Sequence, residues 1–470
     1  MSTDIQNYDI IVIGSGPAGQ KAAIQGTKSG KKVCLIERSR EIGGACVHRG
    51  TIPSKTLREN ALRVKNMRMN AELAHFELPE DTELVTLIDR LEEVLNAHDE
   101  YMRRQVERND INIIHGKARF ISPYEIAVSN VRGEQQVFRA QSIIIATGSL
   151  PRHPSHIKID HEHVFDSDSI LSMMYLPKSL AVLGGGVIAS EYASIFQALG
   201  VEVTMIDKYP SPLGFLDSDL TSIFTKAFEA MGGTWCGNSV VKESAWNGFN
   251  AVVTTLEDGT EIKTEKLLCA AGRMANVEEL QIENAGLKLN SRGLIDVNDD
   301  LQTEVEHIYA AGDIIGPPSL ASASMEQGRR ATSNALGSPL GCMSTMIPTG
   351  IYSIPELSAV GLTEAQAREK FGDIMVGTAA FDEIARGQIS GIQQGMLKII
   401  CDQGGRKILG VNIVCEGATE LIHIAQMALL TNSDVDIFVE SIFNFPTLAE
   451  AYRVAALDII SNRKVQTYSG

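Results

Sequence analysis

Apolar residues are grouped along the chain into short runs that alternate with helical stretches. Residues 8–13 form an apolar run of strand length, and a helical stretch separates them from a second strand at 32–37. The same alternation occurs between the strands at 179–183 and 201–207. Strands that alternate with helices in this way predict an α/β fold in which a parallel sheet carries helices on its faces.

The first two strands are connected by a helix that follows the glycine-rich turn Gly-Ser-Gly-Pro-Ala-Gly. Such glycines permit a tight turn and let the backbone approach a pyrophosphate at the N-terminus of the helix. The second strand ends in a glutamate, eighteen residues after the last glycine, which can accept hydrogen bonds from ribose hydroxyls. The predicted dinucleotide-binding residues of this unit are Gly14, Gly16, Gly19 and Glu37.

The same unit occurs a second time in the middle of the chain. The strand at 179–183 leads into the turn Gly-Gly-Gly-Val-Ile-Ala, in which an alanine replaces the third glycine and adds only one methyl group. The next strand ends in an aspartate, again eighteen residues after the last small residue of the turn. Two complete units predict two dinucleotides. The predicted binding residues of the second unit are Gly184, Gly186 and Asp207.

Further segments complete this arrangement. Apolar strands at 143–149 and 267–273 contain a small residue followed by glycine near their ends, and each is predicted to close one nucleotide unit. These strands contribute Thr147, Gly148 and Gly272 to the predicted binding sites. Apolar residues at helical spacing predict long surface helices at 57–74 and 86–109. From about residue 346 the glycine pattern changes, which predicts a separate terminal domain.

Composition and charge restrict the class of partner. The 470 residues, 44% hydrophobic and 21% charged, suffice for about three globular domains. The net charge of −16 argues against nucleic acid or an anionic membrane as the main partner, because both bind basic surfaces. No apolar run approaches the ~20 residues that cross a bilayer. The seven cysteines form no CxxC motif, which argues against a disulfide framework or a zinc site. We therefore expect a soluble, cytoplasmic protein.

The order of these motifs resembles the flavoprotein disulfide reductase family, the group of lipoamide dehydrogenase and glutathione reductase. The motifs that carry the resemblance are the two glycine turns, Gly-Gly-x-Cys ending at Cys46, Ala-Thr-Gly ending at Gly148, Ala-x-Gly-Arg ending at Arg273, Ile-Tyr-Ala-Ala-Gly-Asp ending at Asp313, and Pro-Thr-Leu-Ala-Glu ending at Glu450. The resemblance implies FAD on the first unit and NAD(P) on the second. It also implies that Gly44 belongs to the FAD site, that Glu37 holds the adenosine ribose, and that Asp313 lies near the flavin ribityl chain and phosphate.

The same resemblance implies two Rossmann-like domains, for FAD and for NAD(P), plus a C-terminal α+β dimerisation domain. Residues 1–150 and 274–345 would form the FAD-binding domain, residues 151–273 the NAD(P)-binding domain, and residues 346–470 the dimerisation domain. The protein would be a homodimer or a higher homo-oligomer, in which the terminal domain completes the active site of the partner subunit.

Two residues depart from the family pattern at positions that thiol chemistry requires. The family has two cysteines separated by four residues, whereas here Cys46 is followed at that spacing by Thr51, whose hydroxyl cannot form a disulfide. The family places a histidine base directly before the Pro-Thr near its C-terminus, and this chain has Phe445 there. A phenylalanine cannot accept a proton from a thiol. The flavin and nucleotide motifs, in contrast, are all present.

This combination resembles the soluble transhydrogenase branch of the family. That resemblance implies Si-specific hydride exchange between NADPH and NAD⁺ through reduced FAD, in a ping-pong mechanism. Lys55 is expected near flavin N5 and paired with Glu191, where its charge would stabilise anionic reduced flavin. Cys46 is either a reactive thiol beside the flavin or, as we favour, a residue that only packs there. Asp207 favours NAD(H) and opposes the 2′-phosphate of NADP(H), which a transhydrogenase must also accept.

Two other functions stay open at this point. One is a disulfide reductase similar to dihydrolipoamide dehydrogenase that recruits another thiol, although no cysteine near Cys46 in sequence offers itself. The other is an NADH-dependent diaphorase, or a sensor that binds FAD and NAD(H) without turnover. The complete set of flavin and nicotinamide motifs argues against a sensor.

Overall fold

A seven-stranded sheet organises the N-terminal part of the chain in the computed structural model, which describes residues 5–74 and 84–463. The elements up to residue 145 are β1 (Gln6–Ile13), α1 (Pro17–Lys28), β2 (Val33–Glu37), α2 (Gly44–His48), α3 (Thr51–Ala74), α4 (Leu84–Arg108), β3 (Asn112–His115), β4 (Lys117–Ser122), β5 (Glu125–Ser129) and β6 (Gln135–Ile145). β1 lies between β2 and β6 and pairs in parallel with both. The carboxyl ends of these three strands therefore meet at one edge of the sheet. The glycine turn follows β1 at this edge.

A second sheet repeats this arrangement. Its part of the chain contains β7 (Ser149–Pro151), β8 (Val164–Asp166), β9 (Ser179–Leu183), α5 (Val187–Ala198), β10 (Glu202–Ile206), α6 (Ser218–Ala230), β11 (Thr234–Cys236), β12 (Val241–Trp246), β13 (Val252–Leu256), β14 (Glu261–Thr264) and β15 (Lys266–Cys269). The order β11-β10-β9-β15-β8 places β9, which leads into the second glycine turn, between two parallel neighbours. β12, β13 and β14 form a separate antiparallel sheet.

The chain passes between the first two sheets along two adjacent strands. β7 leads into the second unit, and β16 (Arg273–Ala275) returns antiparallel to it, with Ser149 opposite Ala275. β17 (Ile308–Ala310) then pairs with β6 and completes the first sheet, and α7 (Ala321–Ala335) packs against α1. The first sheet is therefore built from two parts of the sequence, one before and one after the second unit.

The C-terminal part of the chain forms an antiparallel sheet of five strands with helices. Its elements are β18 (Thr349–Ile351), β19 (Leu357–Gly361), α8 (Glu364–Phe371), β20 (Ile374–Ala380), α9 (Ala385–Ile389), β21 (Met396–Asp402), β22 (Ile408–Val414), α10 (Ala418–Leu430), α11 (Ile437–Glu440) and α12 (Glu450–Ser461). The strand order is β18-β19-β22-β21-β20. α10 and α12 bury Ile422 and Tyr452 in a core shared with the sheet. The predicted fold class, α/β units with an α+β terminal domain, is thus confirmed.

Three predicted elements, two strands and one helix, differ in length from those observed by several residues. The predicted closing strands end earlier, as β6 and β15, because the backbone turns away before the glycine that follows each of them. The helix predicted at 57–74 begins instead at Thr51, as α3. Its first turn accommodates Pro53, because the first N–H groups of a helix have no partner within the helix. Thr51 and Lys55 consequently lie one turn apart on the same helix face.

No helix in the described part of the chain is long and apolar enough to cross a membrane.

A buried lysine connects the second unit to the C-terminal sheet. Lys398 of β21 is 2% exposed, and its ammonium lies 3.0 Å from Asp217, 2.7 Å from Asp219 and 2.5 Å from Glu364. Burial disfavours the charged ammonium, but the hydrogen bonds to these three carboxylates outweigh it and raise the pKa of Lys398. Asp217 precedes α6 and also accepts a hydrogen bond from the backbone of Glu364, at the start of α8. Removal of the lysine would leave a carboxylate buried without its cation.

We expect Lys398→Met to lower the free energy of unfolding by about 3–5 kcal/mol, the usual cost of breaking a buried ion pair. The measurement is the denaturation midpoint of the full-length protein. The control is Lys370→Met, which changes an exposed lysine on α8 and should shift stability by no more than about 0.5 kcal/mol. Equal midpoints for the two variants would contradict this account.

Candidate active site

A cavity of about 690 Å³ lies where the first sheet, α5 and the C-terminal sheet come together. The predicted site residues that line it are Gly14, Gly16, Glu37, Gly44, Cys46, Thr51, Lys55, Thr147, Gly148, Glu191 and Asp313. The predicted residues that do not line it are Gly19, Gly184, Gly186, Asp207 and Gly272. The structure therefore brings most of the residues predicted for FAD and catalysis to one place, and leaves the second glycine turn outside it.

Close backbone contacts explain two of the three glycines of the first turn. Gly14 has φ +100°, and a Cβ there would lie 2.4 Å from the carbonyl oxygen of Ala146. A Cβ on Gly19 would lie 1.8 Å from the carbonyl oxygen of Gly14. Gly16, which precedes α1, has no atom within 4 Å of its Cβ position. Gly19 thus serves packing, while Gly16 leaves the N-terminus of α1 open to an anion in the cavity.

The carboxylate of Glu37 supports the same turn. One oxygen accepts hydrogen bonds from the backbone N–H of Ser15 at 2.9 Å and from its hydroxyl at 2.7 Å. The other oxygen accepts from the backbone N–H of Ser39 at 2.8 Å. The Ser15 hydroxyl in turn accepts from the N–H of Gly43, and a Cβ on Gly44 would lie 2.9 Å from Gly16. Sequence reasoning missed Ser15, because the position between the two glycines carries no pattern of its own.

A chain of polar contacts extends from Asp313 along the cavity wall. Asp313 accepts a hydrogen bond from the hydroxyl of Ser149 at 2.6 Å, and Arg273 donates to the same hydroxyl at 2.8 Å. The guanidinium of Arg273 also lies 2.9 Å from Asp168, which is 3.5 Å from Arg49. Arg273 belongs to a sequence motif of the family, but the motif alone gave it no role. Ser149 and Asp168 carried no signal.

Lys55 and Glu191 form the ion pair that was expected of them, with 2.7 Å between the ammonium and one carboxylate oxygen. The other oxygen accepts a hydrogen bond from the backbone N–H of Tyr352 at 2.9 Å. Glu191 is 5% exposed, so these partners take the place of the water that a carboxylate loses on burial. The pair lies in the cavity wall where α3 and α5 meet.

Cys46 lies beside Thr51 in the same wall. Burial raises the pKa of the Cys46 thiol, and a hydrogen bond with Thr51 and the charge of Lys55 oppose that rise only in part. A thiol with a raised pKa is a poor nucleophile at neutral pH. Cys46 is the only cysteine that lines the cavity among the described residues, and Phe445 is exposed and does not line it. These facts favour a packing role for Cys46.

The residues of the cavity fit FAD. The open N-terminus of α1 suits a pyrophosphate, and the strand-end carboxylate of Glu37 suits a ribose. The hydroxyl of Thr147, another cavity residue, is buried without a hydrogen-bond partner in the described part of the chain. A polar atom left unpaired in this way indicates a ligand that would satisfy it.

The second glycine turn repeats the geometry of the first. Gly184 has φ +118°, and a Cβ there would lie 2.7 Å from the carbonyl oxygen of Ala270. Asp207 accepts hydrogen bonds from the backbone N–H of Gly185 at 2.5 Å and of Tyr209 at 3.0 Å. Gly186 precedes α5 with open space at its Cβ position, as Gly16 does before α1. Gly272, φ +99°, follows the closing strand β15, as Gly148 follows β6.

α5 connects this second turn to the cavity. Its first residues, Val187 and Ile188, line the cavity, as does Glu191 one turn later. A nucleotide bound at the second turn could therefore extend along α5 toward Lys55. Val187 contributes only a small aliphatic side chain to the cavity wall.

Comparisons with known proteins define the family of this chain. The family Pyridine nucleotide-disulphide oxidoreductase matches residues 8–328, and the dimerisation domain of the same family matches residues 347–456. The chain belongs to this family. Its cofactor is accordingly FAD, and its substrates are nicotinamide nucleotides, so the family resemblance and the cofactor assignment are confirmed.

Curated relatives narrow the comparison. The chain is 42% identical over 464 residues to proteins named soluble pyridine nucleotide transhydrogenase in Mycobacterium bovis and Mycobacterium tuberculosis, covering 98% of each chain. A protein of the same name from a Marinomonas species is 38% identical, covering 96% of this chain and 98% of that one. A solved structure of the HOCl-induced flavoprotein disulfide reductase RclA from Escherichia coli, as a Cu(II) complex, is 29% identical. Its TM-score is 0.88, and the match covers 96% of this chain and 99% of that one.

The position of Asp207 predicts a preference between nucleotides. NADH should reduce the flavin with a higher kcat/KM than NADPH, because a carboxylate at the end of this strand would accept hydrogen bonds from ribose hydroxyls and would repel a 2′-phosphate. Asp207→Asn should bring the two kcat/KM values closer together. The rate of flavin reduction after rapid mixing of the enzyme with each nucleotide gives both values. Glu202→Gln removes a charge from an exposed side chain on the same strand and is the control. An unmutated enzyme that prefers NADPH tenfold would overturn the assignment.

Proposed function

We propose that this protein exchanges hydride between NADPH and NAD⁺, with FAD as the intermediate carrier and without a redox-active disulfide. The names of relatives at 38–42% identity support this activity. We also take the exchange to be Si-specific, as the family resemblance implies. The assignment of individual residues to FAD, to the nicotinamide nucleotide and to catalysis is part of this proposal, as are the domain boundaries.

The observation that carries the proposal is the pair Cys46 and Thr51. A disulfide reductase needs two thiols beside the flavin, and the described cavity wall has one. The hydroxyl of Thr51 stands near the Cys46 sulfur and cannot exchange with a substrate disulfide. The remaining cysteines lie elsewhere in the described chain, several of them buried in strands. A disulfide reductase that recruits another thiol thus has no source for it in the cavity.

FAD, when bound, accepts two electrons from one nicotinamide and returns them to another without any thiol. The residues of the chain hold and orient the reactants. The N-terminus of α1 at Gly16 would hold the pyrophosphate, and Glu37 would hold a ribose while it also supports the turn. Asp313, fixed by Ser149, would hold the part of FAD between the phosphates and the ring.

Lys55 supplies positive charge in the cavity. Its ammonium is held by Glu191, so it points to one place rather than sampling the rotamers of a free lysine. A cation fixed at this point favours the development of negative charge beside it. Glu191 keeps the lysine oriented and is itself fixed by the backbone of Tyr352.

A single nicotinamide site requires the two nucleotides to bind in turn. The described chain has two glycine turns, and the first belongs to the cavity fitted to FAD. The second turn, at the start of α5, is left for both NADPH and NAD⁺. Val187, at the start of α5, places no aromatic ring over the cavity. One nucleotide can therefore leave and the other enter without a side chain having to move aside.

We propose that the protein acts as a homodimer. The chain has the dimerisation domain of the family. Large apolar side chains exposed towards the end of that part of the chain include Met427, Leu430, Ile437, Ile442, Phe445, Val454 and Leu457. Exposed apolar side chains that form a face are typical of a surface that another subunit covers.

The activity is tested with two assays on the same preparation. The first follows NADPH oxidation with a thio-analogue of NAD⁺ as acceptor, and the second follows lipoamide reduction. We expect turnover in the first and little in the second. Flavin that neither NADH nor NADPH bleaches under anaerobic conditions would instead favour a sensor, and lipoamide turnover as fast as hydride exchange would favour a disulfide reductase.

Restoring the second thiol alone should not restore disulfide reduction. Thr51→Cys can form a dithiol with Cys46, but Phe445 supplies no base, so lipoamide turnover should stay low. Thr51→Cys combined with Phe445→His should raise it, because in the proposed homodimer the terminal domain of one subunit completes the active site of the other, where a histidine can protonate and deprotonate the thiol. The control is Thr51→Ser with Phe445→His, which has the base but no second thiol. Full turnover by Thr51→Cys alone would show that position 445 is not limiting.

The single site also predicts the kinetic pattern. Reciprocal plots at several fixed acceptor concentrations should be parallel, with each nucleotide inhibiting competitively at high concentration, because one leaves before the other binds. Enzyme reduced by one nucleotide and then freed of it should still reduce the other. Intersecting plots would require both nucleotides on the enzyme together, and the single-site account would then be abandoned.

A further inference from the structure

The ion pair in the cavity is contacted by a residue from the C-terminal part of the chain. The ring of Tyr352 lies under the ammonium of Lys55, with 4.8 Å from Nζ to the ring centroid. The backbone N–H of the same residue donates to Glu191 at 2.9 Å. One residue therefore contacts both members of the pair, the cation through its ring and the carboxylate through its backbone.

The backbone around Tyr352 is fixed to both helices that carry the pair. The carbonyl of Ser353 accepts a hydrogen bond from Arg58 at 3.1 Å, and the N–H of Ile354 donates to the hydroxyl of Ser194 at 3.0 Å. Arg58 lies three residues after Lys55 on α3, and Ser194 lies three residues after Glu191 on α5. Three consecutive residues thus bind α3 or α5 on the helix faces that present the ion pair.

Arg58 makes this attachment rigid. Its side chain is 1% exposed and lies 3.2 Å from Glu356 and 2.8 Å from Glu416. Burial alone would lower the pKa of Arg58, but these carboxylates more than compensate and raise it, so the guanidinium stays charged. Glu356 also accepts from the backbone and the hydroxyl of Thr419 at the start of α10. The segment that carries Tyr352 is therefore held from both sides.

We propose that Tyr352 is a positioning residue that holds the Lys55 ammonium in the cavity, and that its ring thereby sets the reduction potential of the bound flavin. The inference rests on the proposed role of Lys55 in the function above. A cation over an aromatic face is attracted by the negative centre of the ring, most strongly where water is excluded, and Tyr352 is half-buried. The ring thus gives the Lys55 ammonium a second contact in addition to the Glu191 carboxylate.

The test compares three substitutions in the FAD-loaded full chain. Tyr352→Leu removes the ring but keeps the backbone N–H to Glu191, Tyr352→Phe keeps both ring and N–H, and Lys55→Met removes the cation. The measurement is the midpoint potential of the bound flavin, by anaerobic equilibration with a reference dye. The rate of flavin reduction by NADH is measured beside it, with flavin content and melting temperature to establish folding.

We expect Tyr352→Leu to lower the potential and to slow flavin reduction about threefold to tenfold, because a loosely held cation stabilises the reduced flavin less. Tyr352→Phe should retain the unmutated potential. A double variant that combines Tyr352→Leu with Lys55→Met should have the same flavin potential as Lys55→Met alone, since the ring acts through the lysine. Tyr175→Leu removes another ring beneath a lysine, Lys266, away from the cavity, and should leave the potential unchanged.

Other outcomes overturn the inference in distinguishable ways. If Lys55→Met lowers the potential and Tyr352→Leu does not, the ring does not position the lysine. If Tyr352→Phe lowers the flavin potential as far as Tyr352→Leu does, the hydroxyl rather than the ring is responsible. If none of the three changes the potential, the role of Lys55 fails as well, while the hydride-exchange assay decides separately whether the proposed reaction occurs.

Discussion

The contact between Lys55 and Glu191 imposes a condition on the whole molecule. The two residues are 136 positions apart. Lys55 lies on α3, in the part of the chain that forms the first sheet, and Glu191 lies on α5, in the part that forms the second. A nearly buried carboxylate is costly unless its cation is in place, so α3 and α5 must meet with their charged faces aligned. The C-terminal sheet must then approach closely enough for Tyr352 to reach the same carboxylate. Three parts of the chain are thus held together at one point of the cavity wall.

The two glycine turns share one local solution. In both, the first glycine lies against a carbonyl oxygen after the closing strand, of Ala146 in one case and Ala270 in the other. In both, the strand-end carboxylate accepts backbone N–H groups of the turn. The difference is the residue between the first two small positions. Ser15 adds a hydroxyl to the bonds of Glu37, and Gly185 cannot do so for Asp207, so the first turn is supported by more bonds than the second.

Much of the structure around the two glycine turns could be predicted because it depends on local sequence. A tight turn needs glycine at Gly14 and Gly184, and the apolar runs around those turns have the period of strands, so the residues alone reveal both units. The Lys55–Glu191 pair could be anticipated only through the family resemblance. Ser15, Ser149, Tyr352 and Lys398 could not, because each acts through contacts with residues distant in sequence. Hydrogen bonds of that kind leave no periodic pattern.

The helix boundary at Thr51 shows the same limit in another form. Apolar spacing indicated a helix only from residue 57, since the first turn contains Pro53 and the residues from Ser54 to Thr56 are polar. The helix starts earlier because its initial N–H groups need no partner, and because the packing of Leu57 and Arg58 against other elements supports the turns that follow. Tertiary contacts, rather than local preference, determine where this element begins.

The antiparallel strands β7 and β16 have a consequence for how such a chain could have arisen. Ser149 and Ala275 are register partners, so the segment between them leaves the first sheet and returns to it at neighbouring points. An insertion whose ends adjoin can be added, lost or exchanged without breaking the sheet that receives it. The segment between these strands could therefore be exchanged by recombination without breaking the first sheet, but only for one that keeps an acidic partner for Lys398 and for Lys55, as Asp217 and Glu191 are here.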